Sequence, residues 1–484
     1  MKKLLAFSFF ILHFSFFIPC AAQYKVLHNF NKTNGAYPYD DLIISGTTLY
    51  GMTNGGGMFN HGTIFAIQTD GSLFNVLLNF NDTNGAAPYG HLAITGDTLF
   101  GMTYLGGKYG NGVIFSMLTN GSGYTILRNL GGGSNDPINP IGKLNIIGNT
   151  LYGMSSAGGT HLLGNIFSIN KNGTNYTDLY DFNSPGGVEP QANLTVVGNM
   201  MYGTAFLGGP DDNGILFSFN LTSKTFKTIF NFGGTRGENP QGSLLLSGST
   251  LYGMTTFGGN NPDSSGNIFA ISDSGTNFTG LADFNRSNGA FPYGSLLLSG
   301  GSLIGMTSGG GADSAGVIFE VDTLGGGYTT LFNFKNTQGT FPHGTLLNSN
   351  GTFYGMAYTG GTLGYGVVFS FKDSTVGVKD IKTNSELVKV YPNPGKGIFS
   401  IEMKNEKLKV KNIEVFNILG EKVYSNYQIT NSAALMSSLN NGQATNKSSN
   451  YQIDLSSNPN GIYFYYVIGA DGSFLCEGKL IILK

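Results

Sequence analysis

The stretch Leu49-Tyr50-Gly51-Met52-Thr53, followed by Gly56-Gly57 and then by Gly62-Thr63-Ile64-Phe65, decides the fold. The pattern returns in seven copies, which begin 50 or 52 residues apart. Its first glycine is Gly51, Gly101, Gly153, Gly203, Gly253, Gly305 or Gly355. A period of this size in strand-forming sequence predicts a propeller or a solenoid.

The second copy reads as four short strands. Its apolar segments lie at 74–80, 91–95, 98–103 and 112–117. The pairs Gly96-Asp97 and Asn120-Gly121 between apolar runs are typical of hairpin turns, which need positive φ. Four antiparallel strands in about 50 residues match one propeller blade. A β-helix is the alternative, but its shorter parallel rungs need no hairpin turns.

The ends of the array set the number of blades. Four strands, a to d, are expected in each blade, and the aromatic d-type strand occurs first at 24–30, before any a strand. The last c strand, 367–372, has no d strand after it. We therefore expect an all-β, seven-bladed β-propeller over residues 23–372, in which the N-terminal strand closes the last blade and removes the open edges.

Composition excludes several classes of protein. The net charge of −2 lacks the basic excess that is typical of nucleic-acid-binding proteins. A content of 13% aromatic residues argues against a disordered chain. The two cysteines are Cys20, in the predicted leader, and Cys476, so no internal disulfide is expected.

Residues 1–22 are predicted to be a signal peptide. Lys2 and Lys3 precede an apolar run from 4 to 18, which is too short to span a bilayer, and Cys20-Ala21-Ala22 resembles a cleavage site. A lipoprotein anchored at Cys20 is the alternative, although Phe17-Ile18-Pro19 is a poor match to a lipobox. No transmembrane segment is predicted elsewhere.

The seven L-Y-G-M-T…G-G…G-x-I-F units resemble the GloVer tandem repeat of bacterial exported proteins. That family has variable surface-anchoring tails and no established activity. The units are also distantly similar to kelch repeats in period and in the Gly-Gly pair, but they lack tryptophan.

The C-terminal region resembles the type A sorting domain of the type IX secretion system. The motif residues are Tyr391, Pro392, Asn393, Pro394, Gly420, Gly461 and Tyr463. The resemblance implies a small β-sandwich over 388–484, preceded by a linker at 373–387. It also implies an outer-membrane translocon and a sorting peptidase as partners, and secretion to the medium or outer surface of a Gram-negative bacterium. A polar stretch at 428–450 is longer than the usual loop.

Several motifs have plain structural interpretations. No lysine follows the Gly-Gly pairs at P-loop spacing, so turn geometry is expected. Loops such as 81–85 hold a single carboxylate, which favours plain turns over calcium. Histidines occupy different positions in different copies, so no metal site, catalytic residue or cofactor is predicted.

One position is polar in every copy, just before the leucine of strand a. Its residues are Asp41, His91, Lys143, Asn193, Ser243, Ser295 and Thr345. In a propeller this point is the entrance of the central channel. The ring is either a hydrated mouth or a site for an asymmetric ligand.

The predicted function is recognition of a glycan or surface polymer. The long d–a and b–c loops share one face, where Tyr39, Tyr89 and Tyr293 can stack on sugar rings. The alternatives are a secreted polysaccharide-active enzyme that uses loop carboxylates and a structural adhesin without a small ligand.

Overall fold

A computed structural model describes residues 23–372, 388–403, 410–417, 422–426, 449–469 and 474–484. The predicted signal peptide and linker lie outside these residues. The chain divides into two compact units, 1–374 and 375–484. The described residues form ten antiparallel sheets, which confirms the all-β class. Their helical segments are three short 3-10 turns at Ser184–Gly186, Gly234–Arg236 and Asn336–Gln338.

Each repeat builds one four-stranded sheet in the order a-b-c-d. The a strands are Ile43–Ser45, Ala93–Thr95, Asn145–Ile147, Thr195–Val197, Leu245–Ser247, Leu297–Ser299 and Leu347–Ser349. The b strands are Thr48–Thr53, Thr98–Thr103, Thr150–Ser155, Met200–Ala205, Thr250–Thr255, Ser302–Thr307 and Thr352–Ala357. The c strands are Thr63–Gln68, Val113–Leu118, Asn165–Asn170, Ile215–Asn220, Asn267–Ser272, Val317–Asp322 and Val367–Lys372. The d strands are Asn75–Asn79, Thr125–Asn129, Thr177–Asp181, Thr225–Asn231, Thr279–Asp283, Thr329–Asn333 and Gln23–Asn29. Repeat 3 adds a two-stranded sheet of Pro137–Ile138 and Ala157–Gly158.

The strand that completes the seventh sheet comes from the other end of the unit. Gln23–Asn29 pairs antiparallel with strand c of repeat 7, with Gln23 opposite Lys372 and Asn29 opposite Val367. The unpaired d strand of the sequence thus meets the unpaired c strand.

The predicted start of strand a was wrong by two residues. In repeat 2 the strand begins at Ala93 rather than at His91. The same two positions precede the strand in every repeat, and the backbone N–H at the polar position donates to the side chain of the next repeat in five of them. The polar position therefore belongs to the loop that enters the strand.

A close approach explains the first glycine of the motif. Gly203 in strand b lies directly opposite Phe217 in strand c, and a Cβ on Gly203 would meet that ring at 2.5 Å. Phe217 is fully buried. The same glycine–phenylalanine pair recurs in every repeat, so the two motif positions are one packing unit.

The Gly-Gly pairs form turns, in agreement with the sequence. Gly56 and Gly57 have φ of 70° and 77°, and the other six pairs also have positive φ. Asn350, which replaces a turn glycine, has φ of 52°. A side chain at the paired glycines would be strained.

The C-terminal unit contains two sheets. One contains Val388–Tyr391, Ile398–Met403 and Ser449–Asp454, and the other contains Val410–Asn417, Lys422–Asn426, Gly461–Gly469 and Phe474–Ile482. Phe399 and Ile401 of the first sheet share one hydrophobic core with Val415 and Tyr465 of the second. The core supports the unit without a disulfide.

Candidate ligand-binding channel

The seven polar residues lie together, although about 50 residues separate each from the next. Backbone N–H groups join one repeat to the side chain of the next. Lys143 donates to Asn193 Oδ1 at 2.5 Å, Asn193 to Ser243 Oγ at 2.8 Å, Ser243 to Ser295 Oγ at 2.8 Å, Ser295 to Thr345 Oγ1 at 3.0 Å, and Thr345 to Asp41 Oδ1. This polar ring therefore also connects repeat 7 to repeat 1.

Asp41 and His91 form the next contact of the polar ring. His91 Nδ1 lies 2.7 Å from Asp41 Oδ2, and His91 Nε2 lies 3.8 Å from Asp40 Oδ2. The His91 side chain is only 7% exposed, and its Nε2 has no hydrogen-bond partner.

Burial and charge shift the pKa values of these three groups. Burial raises the pKa of Asp40 to about 8, against the attraction of His91. Burial opposes ionisation of Asp41 too, but His91 and the hydrogen bonds to its carboxylate lower its pKa. Burial would lower the pKa of His91, yet the two carboxylates raise it to about 9. The two carboxylates therefore favour a positive charge at His91.

Asp40 is a residue that sequence reasoning missed. The other copies have Gly90, Gly142, Ala192, Gly242, Gly294 and Gly344 at this position. A Cβ on Gly90 would lie 1.8 Å from the carbonyl oxygen of Gly142, so neighbouring backbones nearly touch here. The signal was present, since an aspartate replaces glycine or alanine in one copy of seven.

An aromatic cluster lies at one side of the cavity beside the polar ring, which we call the mouth. Tyr39 contacts Tyr89 with ring centroids 4.9 Å apart and His343 at 4.6 Å. Tyr293 stacks on the other side of His343 at 4.8 Å, and Tyr358 lies 5.1 Å from it. The structure thus brings together the three predicted tyrosines.

Amides occupy the other side. Gln241 Nε2 donates to Gln191 Oε1 at 2.9 Å, and Ile141 fills the same position in repeat 3. Tyr39, Gln191, Gln241 and Tyr293 line one cavity of about 430 Å³, which includes open solvent.

The residue before each proline repeats this division. It has positive φ in all seven copies: Tyr37, Ala87, Asn139, Glu189, Asn239, Phe291 and Phe341. These side chains are aromatic in repeats 1, 6 and 7 and polar in repeats 3, 4 and 5. Phe291, Tyr293, Phe341 and His343 line a groove of about 770 Å³, which includes open solvent.

Other candidate groups have local structural roles. Asn81 and Asn84 exchange side-chain to backbone hydrogen bonds within their loop, as plain turns do. Among the loop carboxylates, Asp136 pairs with Arg128 at 2.6 Å, and Glu238 accepts from the N–H of Gly234 at 3.1 Å. These contacts hold the loops in shape.

The described sorting-motif residues are structurally connected. Asn393 donates to the carbonyl of Lys479 at 2.6 Å and accepts from the N–H of Ile481 at 2.9 Å. Tyr463 is buried and donates to the carbonyl of Pro459 at 2.8 Å. Tyr391, Pro392 and Pro394 flank Asn393, and Gly461 begins the strand that holds Tyr463. Gly420 lies outside the described residues.

The repeat pattern matches a known family over most of the chain. The model of the Gloeobacter/Verrucomicrobia repeat matches residues 16–160, 94–262 and 247–398. The chain belongs to the Gloeobacter/Verrucomicrobia repeat family. Residues 389–443 of this family member match the secretion system C-terminal sorting domain. Both predicted resemblances are confirmed.

The sorting domain indicates where this repeat protein goes. It implies contact with the type IX secretion machinery and a secreted or outer-surface location. Within the described residues, no helix has the length and apolar character needed to cross a membrane.

Comparisons with characterised proteins add little. No curated protein matches the chain. Similar solved structures include a puromycin-hydrolyzing peptidase of Mycobacterium tuberculosis, at 11% identity and TM-score 0.47, covering 79% of this chain and 61% of that chain. A polysaccharide lyase matches at 10% identity and TM-score 0.39, covering 70% of this chain and 90% of that chain. A neuraminidase-like protein of A/flat-faced bat/Peru matches at 12% identity and TM-score 0.36, covering 73% and 95%. At these TM-scores, none carries an argument about activity.

Proposed function

We propose that residues 23–372 close into a seven-bladed β-propeller that recognises a neutral glycan, exported with a C-terminal β-sandwich at 388–484. Closure is supported by contacts at the junction of repeats 7 and 1 that repeat those elsewhere. His28 of the seventh sheet stacks on Phe74 of repeat 1 with centroids 3.6 Å apart, as Tyr180 of repeat 3 stacks on Phe226 of repeat 4 at 3.9 Å. The N-terminal strand thus pairs with a c strand and packs against the d strands of the repeats on either side, as the other d strands do.

The observation that supports glycan binding is the two-sided mouth. Tyrosines and a histidine form one side, and glutamines form the other. A sugar presents an apolar ring face that stacks on aromatic groups and hydroxyls that need donors and acceptors. Both requirements are met around one cavity. An aromatic–amide mouth therefore suits a neutral sugar better than a phosphate or a nucleic acid.

The channel also explains how one glycan orientation could be selected. The polar ring changes from Asp41 and His91 to Ser243 and Ser295 around the circle. A symmetric ligand would not need that variation. A chain of sugar units with distinct hydroxyl geometry could use it.

A glycan array probed with the purified full chain tests the proposal. We expect binding to a small set of neutral glycans. The double variant Tyr89→Ala and Tyr293→Ala should lose it while the melting temperature stays close to that of the parent. Asn120→Ala, in a c–d turn, is the control and should bind normally.

Other outcomes would support the alternative functions. Cleavage of a bound glycan would favour an enzyme. An array without any hit, together with adhesion of cells that display the protein, would favour a structural adhesin.

Export gives a separate test. We propose that a signal peptide at 1–22 and a sorting peptidase process the chain in a Gram-negative host. Deleting 388–484 should leave the repeat unit in the periplasm, and cell fractionation with immunoblotting measures this. Normal surface display of the deletion variant would contradict the export proposal.

A further inference from the structure

A cluster of potential metal ligands lies in the channel. Asp40, Asp41 and His91 place one ligand atom each within 4.8 Å of one another. It is the only such group of three found among the described residues. Two come from repeat 1 and one from repeat 2, so the cluster exists only where these repeats meet.

A buried nitrogen in this cluster lacks a partner. Only 7% of the His91 surface is exposed to solvent, and its Nε2 makes no hydrogen bond. Buried polar atoms are nearly always paired, because an unpaired one loses its hydration without compensation. Nε2 faces Asp40 Oδ2 across 3.8 Å, which is too far for a hydrogen bond.

The other ring nitrogen is already oriented. Nδ1 contacts Asp41 Oδ2 at 2.7 Å, and the N–H of Thr345 donates to Asp41 Oδ1. Metal-binding histidines usually donate their second N–H to a carboxylate in this way. A cation at Nε2 would take the place of the proton that the two carboxylates favour there, so its binding releases that proton. Asp41 thus serves as a positioning residue for Nε2.

We propose that Asp40 Oδ2 and His91 Nε2 bind one divalent cation of the Zn²⁺ class. Two ligands at about 2.1 Å from a tetrahedral ion would lie about 3.4 Å apart, so a small side-chain movement closes the gap. A mixed imidazole and carboxylate pair favours Zn²⁺ over Mg²⁺ or Ca²⁺. Asp40 lines the channel cavity, where water can complete the coordination.

Asp40 is the part of the site that the repeat does not require. Its position holds glycine in five copies and alanine in one, where backbones approach closely. A carboxylate introduced at this single place has no counterpart in the packing of the other repeats. The inference is independent of the proposed glycan.

Calorimetric titration of the chelator-treated full chain with Zn²⁺ tests the proposal. We expect one bound equivalent that Mg²⁺ does not replace. Asp40→Gly and His91→Ser should each lower the affinity at least about tenfold, because each removes a direct ligand. Glycine stands at the position of Asp40 in repeat 2, as Gly90, and serine stands at the position of His91 in repeat 5, as Ser243. Both variants should therefore fold. Melting curves check this.

Two further variants separate positioning from ligation. Asp41→Asn should weaken Zn²⁺ by roughly 10- to 100-fold without changing the stoichiometry. Lys143→Met removes the neighbouring positive charge that acts on His91 and should strengthen binding. Its backbone N–H, which donates to Asn193, is retained.

His161→Ala, at an exposed histidine, is the control for adventitious binding and should keep the parent affinity. The proposal is overturned if the parent binds no Zn²⁺, or if Asp40→Gly and His91→Ser both retain the equivalent with parent affinity.

Discussion

The two sides of the channel mouth share a backbone and differ in chemistry. The aromatic half is defined as the pre-strand loops of repeats 6, 7, 1 and 2, with Tyr293, His343, Tyr39 and Tyr89 after their prolines. The amide half is defined as the loops of repeats 3, 4 and 5, with Ile141, Gln191 and Gln241. Both halves have the same left-handed residue before proline. A single repeated scaffold therefore carries two surfaces.

Within one molecule, the residues that pack the sheets are the same in every repeat, whereas the residues at the mouth differ between repeats. The strand b glycine and the strand c phenylalanine are the same in all repeats, because one fits over the other. The mouth positions vary, and their neighbours vary with them: Tyr293 stacks on His343, whereas Gln241 bonds to Gln191. Changes to the scaffold should therefore affect both halves equally, and changes at the mouth should affect only one.

The largest expected effect comes from removing residues 24–30, which support the aromatic half at repeats 7 and 1. The deletion exposes strand c of repeat 7 and removes Tyr24, Val26 and Phe30 from the core. At about 1.5–3 kcal/mol for each side chain, the loss is on the order of 5 kcal/mol. Thermal melting and size-exclusion chromatography should show a much lower melting temperature or aggregation. A deletion variant that melts like the parent would mean that the array is open.

Scaffold glycines provide the next test. Gly203→Ala in the amide half and Gly355→Ala in the aromatic half place a Cβ 2.5 and 2.6 Å from a buried ring. Each should cost about 1–3 kcal/mol in unfolding free energy, because an overpacked core must shift. Gly280→Ala, where a Cβ meets nothing within 4 Å, is the control and should be nearly neutral. Unequal costs for Gly203 and Gly355 would show that the halves differ below the mouth.

Exchanging mouth residues sharpens the comparison. Tyr293→Gln should lower the affinity for a glycan found on the array by about tenfold, since one aromatic contact contributes about 0.5–1.5 kcal/mol beyond its buried area. Gln241→Tyr extends the aromatic half and should strengthen binding or broaden the set of glycans. Direct binding titrations measure both. Equal affinity in the parent and both variants would place the ligand elsewhere.

Much of the fold could be predicted because its signals are local. Apolar runs and turn glycines such as Gly96 mark the strands and hairpins within a few residues. The pairing of 23–29 with 367–372 followed from counting strands, since each was left without a partner. The start of strand a was less accurate, because the polar position before it bonds to the next repeat, as the N–H of Asn193 does to Ser243, and not within its own sheet.

The mouth could not be predicted in the same way. A residue before proline normally avoids helical conformations and is extended, yet Tyr37 and Phe341 have φ of 58° and 54°. The N–H of Tyr37 donates to the carbonyl of Tyr365 in repeat 7 at 2.9 Å, and Phe341 donates to Ala315 of repeat 6 at 3.0 Å. These bonds between repeats stabilise the strained conformation. No local pattern contains them.

The sequence predicts no metal site for a related reason. Its histidines do not form a set that repeats, whereas His91 and Asp40 are single departures in adjacent copies. A repeat array can build one site from residues that each occur once. The useful signal is a polar residue at a position where the other copies hold glycine.

The smallest expected effect is a pH dependence that belongs to the aromatic half alone. Burial lowers the pKa of His343 from 6.5 to about 4, whereas Gln191 and Gln241 at the equivalent positions do not titrate. As the pH falls from 6.5 to 4, the unfolded chain binds this proton first, so the folded state loses stability. His343→Gln should reduce the loss of melting temperature across that window, and the exposed His161→Gln should leave it at the parent value. Other titrating groups, including His28 and His91, are common to all three proteins and cancel in the difference. Parallel pH profiles for the parent and His343→Gln would mean that His343 reaches water, and that the aromatic half is more open than its ring contacts indicate.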